Sequence, residues 1–312
     1  MPINIEDIKN ERQFKALTGV SRDEFDIMLP IFDESNREII NENYEKKKDE
    51  RQRKPGGGQK GVLDTTEKKL FFILYYLKTY PKFDVLGLHF GFDKSKACTN
   101  VHKYAPVLFR TLEKMGVMPH RAFSSVEEMR EAFAGIEDIF IDVTERTCAR
   151  PADKDKQKES YSGKKKHHAA KNTVISDINK MILFIGYTVM GGIHDYRLLK
   201  NEFPPDMDWF SMFRVWVDLG YIGIQKDYNH CEILIPHKKP RKSKANPAPS
   251  LTDEQKAENR EMSSLRVIVE HAIGGMKRFS ILTEKFRNRK EMFVDDVAAL
   301  CAGLWNLKKS IA

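Results

Sequence analysis

Residues 139–142 read IFID and residues 215–220 read VWVDLG, so two short apolar runs each end in an aspartate. Apolar runs rich in β-branched and aromatic residues predict buried strands. Aspartate is depleted in strands, and a buried carboxylate is costly unless it is paired, hydrogen-bonded or bound to a metal. For one such aspartate, starting the next turn is the simpler interpretation. Two of them, on strands that can be neighbours in one sheet, predict a shared site for Asp142 and Asp218.

The sequence around these runs predicts an α/β domain. Strand and helix patterns follow one another along the second half of the chain, with strands over 172–175, 181–190 and 231–235 and helices over 253–279 and 294–310. This order favours a mixed sheet with helices packed on it. His194 and Asp195 have the composition of a metal or acid/base pair, but Asp195 is more simply the N-cap of a short helix.

Glu270 is the third candidate, in the helical stretch LRVIVEHAIGGMKRF of residues 265–279. At about 100° per residue, Arg266, Glu270 and Lys277 line one flank of the buried stripe of this helix. Taken alone, Arg266 and Glu270 are an ordinary surface ion pair four residues apart. Together with the two aspartates, Glu270 completes a set of three carboxylates.

Three carboxylates from two strands and one helix suit Mg²⁺ or Mn²⁺, which are hard ions that prefer oxygen ligands. Two such ions in one site can activate a nucleophile and stabilise the leaving oxygen of a phosphodiester. Arg266 and Lys277 would then contact phosphate oxygens or the charge that develops on them. The pattern therefore predicts a site with two metal ions for phosphodiester chemistry.

The first half of the chain is predicted to be helical. Ser21 and Glu24 form a capping box ahead of an amphipathic helix, and the polar, basic stretch 41–61 indicates a linker. Helical patterns over 64–114 include the turn Gly91-Phe92-Asp93, as in a helix-turn-helix. The outward face of the later helix carries residue types that reach bases and phosphates: Ser95, Lys96, Thr99, Asn100 and Lys103. An ordinary three-helix bundle with a solvated polar face is the alternative.

The composition favours an anionic partner. The 312 residues include 53 Lys or Arg against 45 Asp or Glu, which gives a formal net charge of +8 and a sequence pI near 9.1.

No apolar stretch is long enough to span a bilayer, the first residues lack a signal-peptide layout, and the four cysteines form no Cys-x-x-Cys pair. We therefore expect a cytosolic protein without membrane partners.

Several co-linear motifs resemble the DDE transposases of bacterial insertion sequences, the group that is similar to eukaryotic Harbinger nucleases. They are spread over nearly the whole chain, at 56–91, 141–151 (IDVTERTCARP), 161–174 (YSGKKKHHAAKNTV), 191–199 (GGIHDYRLL), 217–223 (VDLGYIG) and 266–290. This resemblance implies a ribonuclease H-like fold with Asp142, Asp218 and Glu270 as the catalytic, metal-binding triad. In the family's signature around its glutamate, Arg266 and Lys277 match, whereas Ser263 stands where the family has tyrosine.

The resemblance also implies a domain order and a function. The segments are a helical part (1–40), a basic linker (41–61), a helix-turn-helix DNA-binding domain (62–135) and a ribonuclease H-like catalytic domain (136–312). The expected function is a DNA transposase, in the bacterial cytoplasm at the nucleoid, that binds terminal inverted repeats of double-stranded DNA. It would cleave and transfer strands with two Mg²⁺ ions per site, as a homodimer or larger assembly on DNA. The alternatives are a DDE-type endonuclease that does not mobilise DNA and a DNA-binding regulator without catalysis.

Other basic residues are candidates for contacts with the DNA backbone. The run Lys164, Lys165 and Lys166 lies between Tyr161 and His167 and could follow a phosphate backbone, with a solvated loop as the alternative. Glu145 and Arg146 follow the first aspartate and could orient it or contact DNA. The lysines and arginines of 238–244 and 287–290 are expected to add electrostatic affinity only.

Overall fold

The computed structural model describes residues 3–50, 61–244, 246–288, 290 and 292–311. The helices are α1 (Glu11–Thr18), α2 (Arg22–Glu45), α3 (Thr66–Thr79), α4 (Phe83–Phe90), α5 (Lys94–Lys114), α6 (Val126–Ala132), α7 (Lys154–Ser160), α8 (Asp195–Glu202), α9 (Ile224–Asp227), α10 (Asp253–Met276), α11 (Ser280–Thr283) and α12 (Phe293–Ile311). The strands are β1 (Asp138–Thr147), β2 (Tyr161–Ser162), β3 (His167–Ser176), β4 (Ile182–Ile185), β5 (Val189–Met190), β6 (Arg214–Trp216) and β7 (Glu232–Leu234). Within the described ranges, no helix has the length and apolar character that crossing a membrane requires.

The chain divides into two compact units whose limits differ from the predicted domains. The first unit comprises Met1–Met118, Met276–Glu284 and Asn288–Ala312, and the second comprises Pro119–Gly275 and Lys285–Arg287. The predicted catalytic domain, 136–312, therefore includes the terminal helix α12, which packs against α2 and α5 of the first unit. Helix α12 is buried on most of its surface, so it is a core element of the unit that contains the N-terminal helices.

Helix α3 is the centre of the first unit. All eight residues from Leu70 to Leu77 are buried, and a helix that is apolar all round must be enclosed by other elements. Helices α1, α2, α5 and α11 pack around it. Rings from α1, α3 and α4 meet there, for example Phe72 and Phe90 at 5.0 Å between centroids.

The predicted capping box of α2 is confirmed, but the helix continues into the stretch predicted as a linker. The Ser21 side chain accepts a hydrogen bond from the Glu24 backbone, and Glu24 accepts one from the Ser21 backbone in return. The acidic residues of α2 recur every four positions and pair with α5: Glu42 with Arg110 at 2.6 Å and Glu38 with Lys114 at 2.6 Å. These pairs explain why residues 41–45 remain helical. Residues 51–60 of the predicted linker lie outside the described residues.

A tight turn joins α4 to α5 as the helix-turn-helix interpretation predicts. Gly91 ends α4 in the left-handed conformation at φ 73°, and Asp93 caps α5 by accepting a hydrogen bond from the Lys96 backbone. Gly87 lies against the carbonyl oxygen of Phe92, so the turn folds back on α4 without room for a side chain. The predicted buried face of α5, at Ala97, Val101, Tyr104, Leu108 and Leu112, is buried throughout.

The second unit contains a mixed sheet, which confirms the predicted α/β class. Strand β1 is central, antiparallel to β3 and parallel to β6, and β6 continues parallel to β7. Strands β4 and β5 both pair with β3, so the predicted single strand over 181–190 is two short strands instead. The sheet core includes Ile139, Ile141, Val215 and Val217, and α6 and α8 contribute apolar residues to the same cluster.

Candidate active site

Strands β1 and β6 bring the two predicted aspartates to the same face of the sheet, although β1 does not end at Asp142 as predicted but continues to Thr147 because it pairs with β3 over that length. Phe140 is paired in register with Trp216, and the two rings stack at 5.8 Å. Asp142 and Asp218 each follow two residues later along parallel strands, and side chains two apart point to the same face. Asp218 has extended backbone angles, φ −89° and ψ 176°, so the alternation continues past the end of β6. The strand register therefore places these carboxylates side by side.

The surroundings of Asp142 disfavour its negative charge. Burial raises the pKa of Asp142 to about 6, although a hydrogen bond from the Val143 backbone to its Oδ1 (2.7 Å) acts in the opposite direction. The negative charges of Asp218 and Asp195 add to the rise, and the positive charge of Arg266 opposes it. Carboxylates held near one another away from water form an electrostatic arrangement that a bound cation stabilises.

Asp218 is fixed by the turn that follows it. Its Oδ1 accepts a hydrogen bond from the Gly220 backbone at 2.7 Å and caps a short 3₁₀ turn, Leu219–Tyr221. The turn-starting interpretation of this aspartate is therefore correct as well, since one carboxylate oxygen makes the cap. The two roles are compatible because a carboxylate has two oxygens and about four lone-pair directions.

A buried lysine connects two further carboxylates beside the aspartate pair. Lys171 of β3 is 5% exposed, and its Nζ lies 2.8 Å from Asp195 Oδ1 and 3.3 Å from Glu145 Oε1. Glu145 faces Lys171 directly across the β1–β3 ladder, and Lys171 also donates to the Ile193 carbonyl at 2.9 Å. The prediction that Asp195 is the N-cap of α8 is wrong. His194 is the cap, and Asp195 is drawn instead to the ammonium group.

Glu270 is arranged differently from the aspartates. Its side chain is 56% exposed on α10, and its Oε1 lies 3.4 Å from a guanidinium nitrogen of Arg266. Within the described ranges, no group of three His, Cys, Asp or Glu side chains is arranged to hold a metal ion. The structure thus brings two of the three predicted ligands together and pairs the third with Arg266, the arginine whose charge acts on Asp142. Lys277, predicted on the same flank of the helix, belongs to the first unit.

Tyr221 is the last residue of the 3₁₀ turn that Asp218 caps. The residue is 1% exposed, and its hydroxyl has no hydrogen-bond partner within the part of the chain that the structure describes. Burial raises its pKa well above the usual value, and the charges of Asp142, Asp195, Asp218 and Glu202 raise it further. Its ring packs beside that of Tyr196, with 6.2 Å between the centroids.

The predicted basic run of the second unit is exposed. Lys164, Lys165 and Lys166 occupy the turn between β2 and β3, and Lys166 adopts the left-handed conformation at φ 60°. By contrast, Arg146 is only 5% exposed and donates to Asn172 Oδ1 (3.2 Å) and Thr188 Oγ1 (2.7 Å). Arg146 therefore stabilises the sheet from inside, and Glu145 pairs with Lys171. Neither has the exposed position that the suggested DNA contact requires.

The predicted DNA-contacting residues of the first unit lie on the open side of α5. Ser95, Lys96, Thr99 and Lys103 are exposed and Asn100 is partly exposed. They occupy the N-terminal half of the helix, which begins directly after the turn from α4. In the other basic stretches, residues 238–244 include five exposed lysines or arginines, and Arg287 and Lys290 are also exposed. Arg289 lies outside the described residues.

Sequence reasoning missed Lys171 and Tyr221 as parts of the site. Lys171 lies inside the β-leaning segment KNTV, where a lysine among buried neighbours is itself a signal, because lysine is almost never fully buried unless it is paired. Tyr221 belongs to the motif VDLGYIG, which carries the second aspartate. An isolated tyrosine in an apolar context is usually core, so only the orphaned hydroxyl distinguishes it.

Paired aspartates on one face of a mixed sheet, one inside β1 and one just after the parallel strand β6, suit enzymes that use metal ions in phosphodiester chemistry. Residues 141–306 match a family described as DDE superfamily endonuclease. Over 303 residues the chain is 30% identical to the probable transposase for insertion sequence element IS702 of Microchaete diplosiphon, covering 96% of this chain and 95% of that protein. No solved structure matches the chain significantly. The chain belongs to the DDE superfamily of endonucleases, which confirms the family predicted from its motifs.

Membership of this family implies a divalent metal ion, and two of the three predicted carboxylate ligands are placed to bind one. Asp142 and Asp218 supply hard oxygen ligands, and their mutual repulsion in a place of reduced solvation is what a cation offsets. Glu270 retains an arginine partner instead. The aspartate pair is therefore the part of the predicted triad that the geometry supports.

Proposed function

We propose that this protein is a DNA transposase that uses the aspartate pair to cleave the ends of its element and join them to target DNA. The observation that supports this proposal most directly is that Asp142 and Asp218 each lie two residues after the paired residues Phe140 and Trp216 of two parallel strands, in a chain of the DDE superfamily. A central β1, with an antiparallel neighbour on one side and a parallel neighbour on the other, supports a ribonuclease H-like fold for the second unit.

Asp142, Asp218 and Glu270 would hold two Mg²⁺ or Mn²⁺ ions in this proposal. When bound, such ions supply Lewis-acid stabilisation of the charge that develops on the phosphodiester. The Arg266–Glu270 pair is exposed and four residues apart on one helix, and such pairs contribute only about 0.3–0.5 kcal/mol. Separating it therefore costs little. Arg266 is then available to a DNA phosphate, and Glu270 to the site.

DNA would be bound by exposed positive charge in both units. Ser95, Lys96, Thr99, Asn100 and Lys103 supply groups for bases and phosphates on the open side of α5, which supports recognition of terminal inverted repeats. The turn at Lys164–Lys166 supplies three exposed ammonium groups. Arg266 and Lys277 complete the proposed phosphate contacts. Action on two element ends would require at least a homodimer on the DNA.

The deciding experiment is an in vitro cleavage and joining assay. DNA from both flanks of the gene is incubated with protein, a target plasmid and Mg²⁺ or Mn²⁺, alongside Asp142→Asn and Asp218→Asn variants. We expect end cleavage and joining by the wild type and a loss of both in each variant. Cleavage without joining would favour an endonuclease that does not mobilise DNA. Specific binding without metal-dependent cleavage would contradict the proposal and favour a regulator.

The role of the lysine turn has a test of its own. Replacing Lys164, Lys165 and Lys166 with alanine should flatten the dependence of log K on log salt concentration for duplex DNA by up to about 2.7, since each phosphate contact contributes about 0.9. The matched control removes Lys238, Lys239 and Lys242, three exposed charges of the same unit. If the two triple variants change the salt dependence of binding equally, the lysine turn contributes only general positive charge and no specific phosphate contacts.

A further inference from the structure

Three basic side chains of the first unit meet where α11 packs against α3 and α12. Lys78 lies in the last turn of α3, Arg278 lies just before α11, and Lys308 lies in the last turn of α12. The Lys78 Nζ donates to the Arg278 carbonyl oxygen at 2.6 Å. The Arg278 guanidinium carbon and the Lys308 Nζ lie 5.9 Å and 5.8 Å from the centroid of the same Trp305 ring. These contacts gather three positive charges into one group, which we call the cation cluster.

Little negative charge balances the cation cluster. Within the described residues, none of its three members forms an ion pair with a carboxylate. The charge of Glu24 acts on Arg278 and Lys308, but the Glu24 Oε2 accepts a hydrogen bond from the Ser21 backbone at 2.8 Å in the capping box of α2. Arg278 and Lys78 are partly exposed and Lys308 is exposed, so an anion can approach the cluster from solvent.

The members of the cluster repel one another. Partial burial, followed by the positive charge of Arg278, lowers the pKa of the Lys78 ammonium group. The same two causes lower the pKa of Lys308, and the charges of Lys15 and Lys309 act in the same direction. Opposite charge close to such groups favours their charged form. An anion bound at the cluster would therefore offset the repulsion.

We propose that the cation cluster binds a phosphate group of the DNA backbone. Arginine presents planar N–H donors that match phosphate oxygens, and lysine binds phosphate as a point charge. The Trp305 ring attracts two of the three cations, which limits the freedom that they would lose on binding.

A phosphate contact in this unit would have a definite role. The unit also carries α5, the proposed recognition helix. Phosphate contacts fix the register and orientation of a protein on duplex DNA without reading its sequence. The cluster would thus anchor the unit on the backbone while α5 reads bases. This inference rests on the proposed binding of DNA.

The test uses the full chain and a duplex that carries one flank of the gene, beside an unrelated duplex. Lys308→Ala removes the exposed member of the cluster. The control Lys46→Ala removes another exposed lysine of the same unit, which follows the C-terminal end of α2, about 33 Å along that helix from Glu24. Urea midpoints of both variants verify that they are folded.

We expect Lys308→Ala to weaken binding of both duplexes equally, because a phosphate contact carries no sequence information. The slope of log K against log salt concentration should flatten by about 0.9 in Lys308→Ala and stay unchanged in Lys46→Ala. End cleavage at saturating DNA should equal that of the wild type, since the cluster binds the backbone and does not react.

Three results would overturn the proposal. A wild-type slope in Lys308→Ala, or equal flattening in Lys308→Ala and Lys46→Ala, would exclude a phosphate contact specific to the cluster. Inorganic phosphate provides the third result, from thermal midpoints in phosphate and in chloride at equal ionic strength. If phosphate raises the midpoint of the wild type but not of Lys308→Ala, while both bind DNA with the same slope, the cluster is a site for the free ion. A wild type that does not bind duplex DNA would instead refute the proposed function itself.

Discussion

Replacing Lys171 with methionine should destabilise the second unit strongly. Methionine retains the length and apolar stem of the side chain but removes the ammonium group. That group lies 2.8 Å from Asp195 and 3.3 Å from Glu145, and the side chains of all three residues are at most 20% exposed. Without it, Asp195 loses the ammonium group that faces it, and the charge of Asp195 also acts on Asp142. Removing one partner of a buried ion pair costs about 3–5 kcal/mol for this reason.

Urea denaturation at pH 7.5, followed by tryptophan fluorescence, should give a loss of about 3–5 kcal/mol of unfolding free energy. The control is Lys158→Met, whose side chain is 82% exposed and pairs with Asp155 at 3.5 Å, with an expected change below about 0.5 kcal/mol. A loss below about 1 kcal/mol for Lys171→Met would refute the reasoning.

Three further outcomes follow from particular contacts. Burial raises the pKa of Glu202 to about 7 from 4.5. The contribution of Glu202 to the free energy of unfolding is therefore fully present below pH 4.5 and is lost as pH rises through 7. The difference in unfolding free energy between Glu202→Gln and the wild type should therefore shift by about 3 kcal/mol in favour of the variant as pH rises from 4.5 to 7. Curves of unfolding free energy against pH that run parallel for the two proteins would contradict this. Gly87→Ala should lower the free energy of unfolding by about 1–3 kcal/mol because the new Cβ meets the Phe92 carbonyl oxygen. Gly274→Ala in α10, where the new Cβ has open space, should raise it by about 0.5–1 kcal/mol. Thermal unfolding of the two variants beside the wild type measures both effects. Chelation with EDTA should abolish end cleavage and excess Mg²⁺ should restore it, and cleavage that survives chelation would argue against metal dependence.

Local sequence patterns predicted several elements because those elements depend on nearby residues. The capping box of α2 needs only Ser21 and Glu24, and the buried face of α5 follows from its helical spacing. The two aspartates were predicted because a charge after an apolar run is a local signal, but the same signal did not reveal that β1 continues past Asp142 to Thr147. Family motifs then added the class of enzyme, which no local pattern specifies.

Other features depend on residues far apart in sequence, and only the fold reveals them. Helix α2 extends to Glu45 because its acidic face pairs with α5, about 70 positions further along the chain. Asp195 is not a cap because Lys171 attracts it from a neighbouring strand. Both outcomes are decided by charges that meet only after folding, and propensity is a weak guide where tertiary contacts compete with it.

Apolar runs, helical spacing and co-linear motifs are sufficient to predict an α/β unit with paired aspartates, helices ahead of it, and membership of the DDE superfamily. The groups that surround those aspartates become visible only in the folded chain. It pairs Glu270 with Arg266, buries Lys171 between Asp195 and Glu145, and leaves the Tyr221 hydroxyl without a hydrogen-bond partner among the described residues. Burial and Coulomb interactions depend on distance through space, whereas motifs report only the order of residues along the chain.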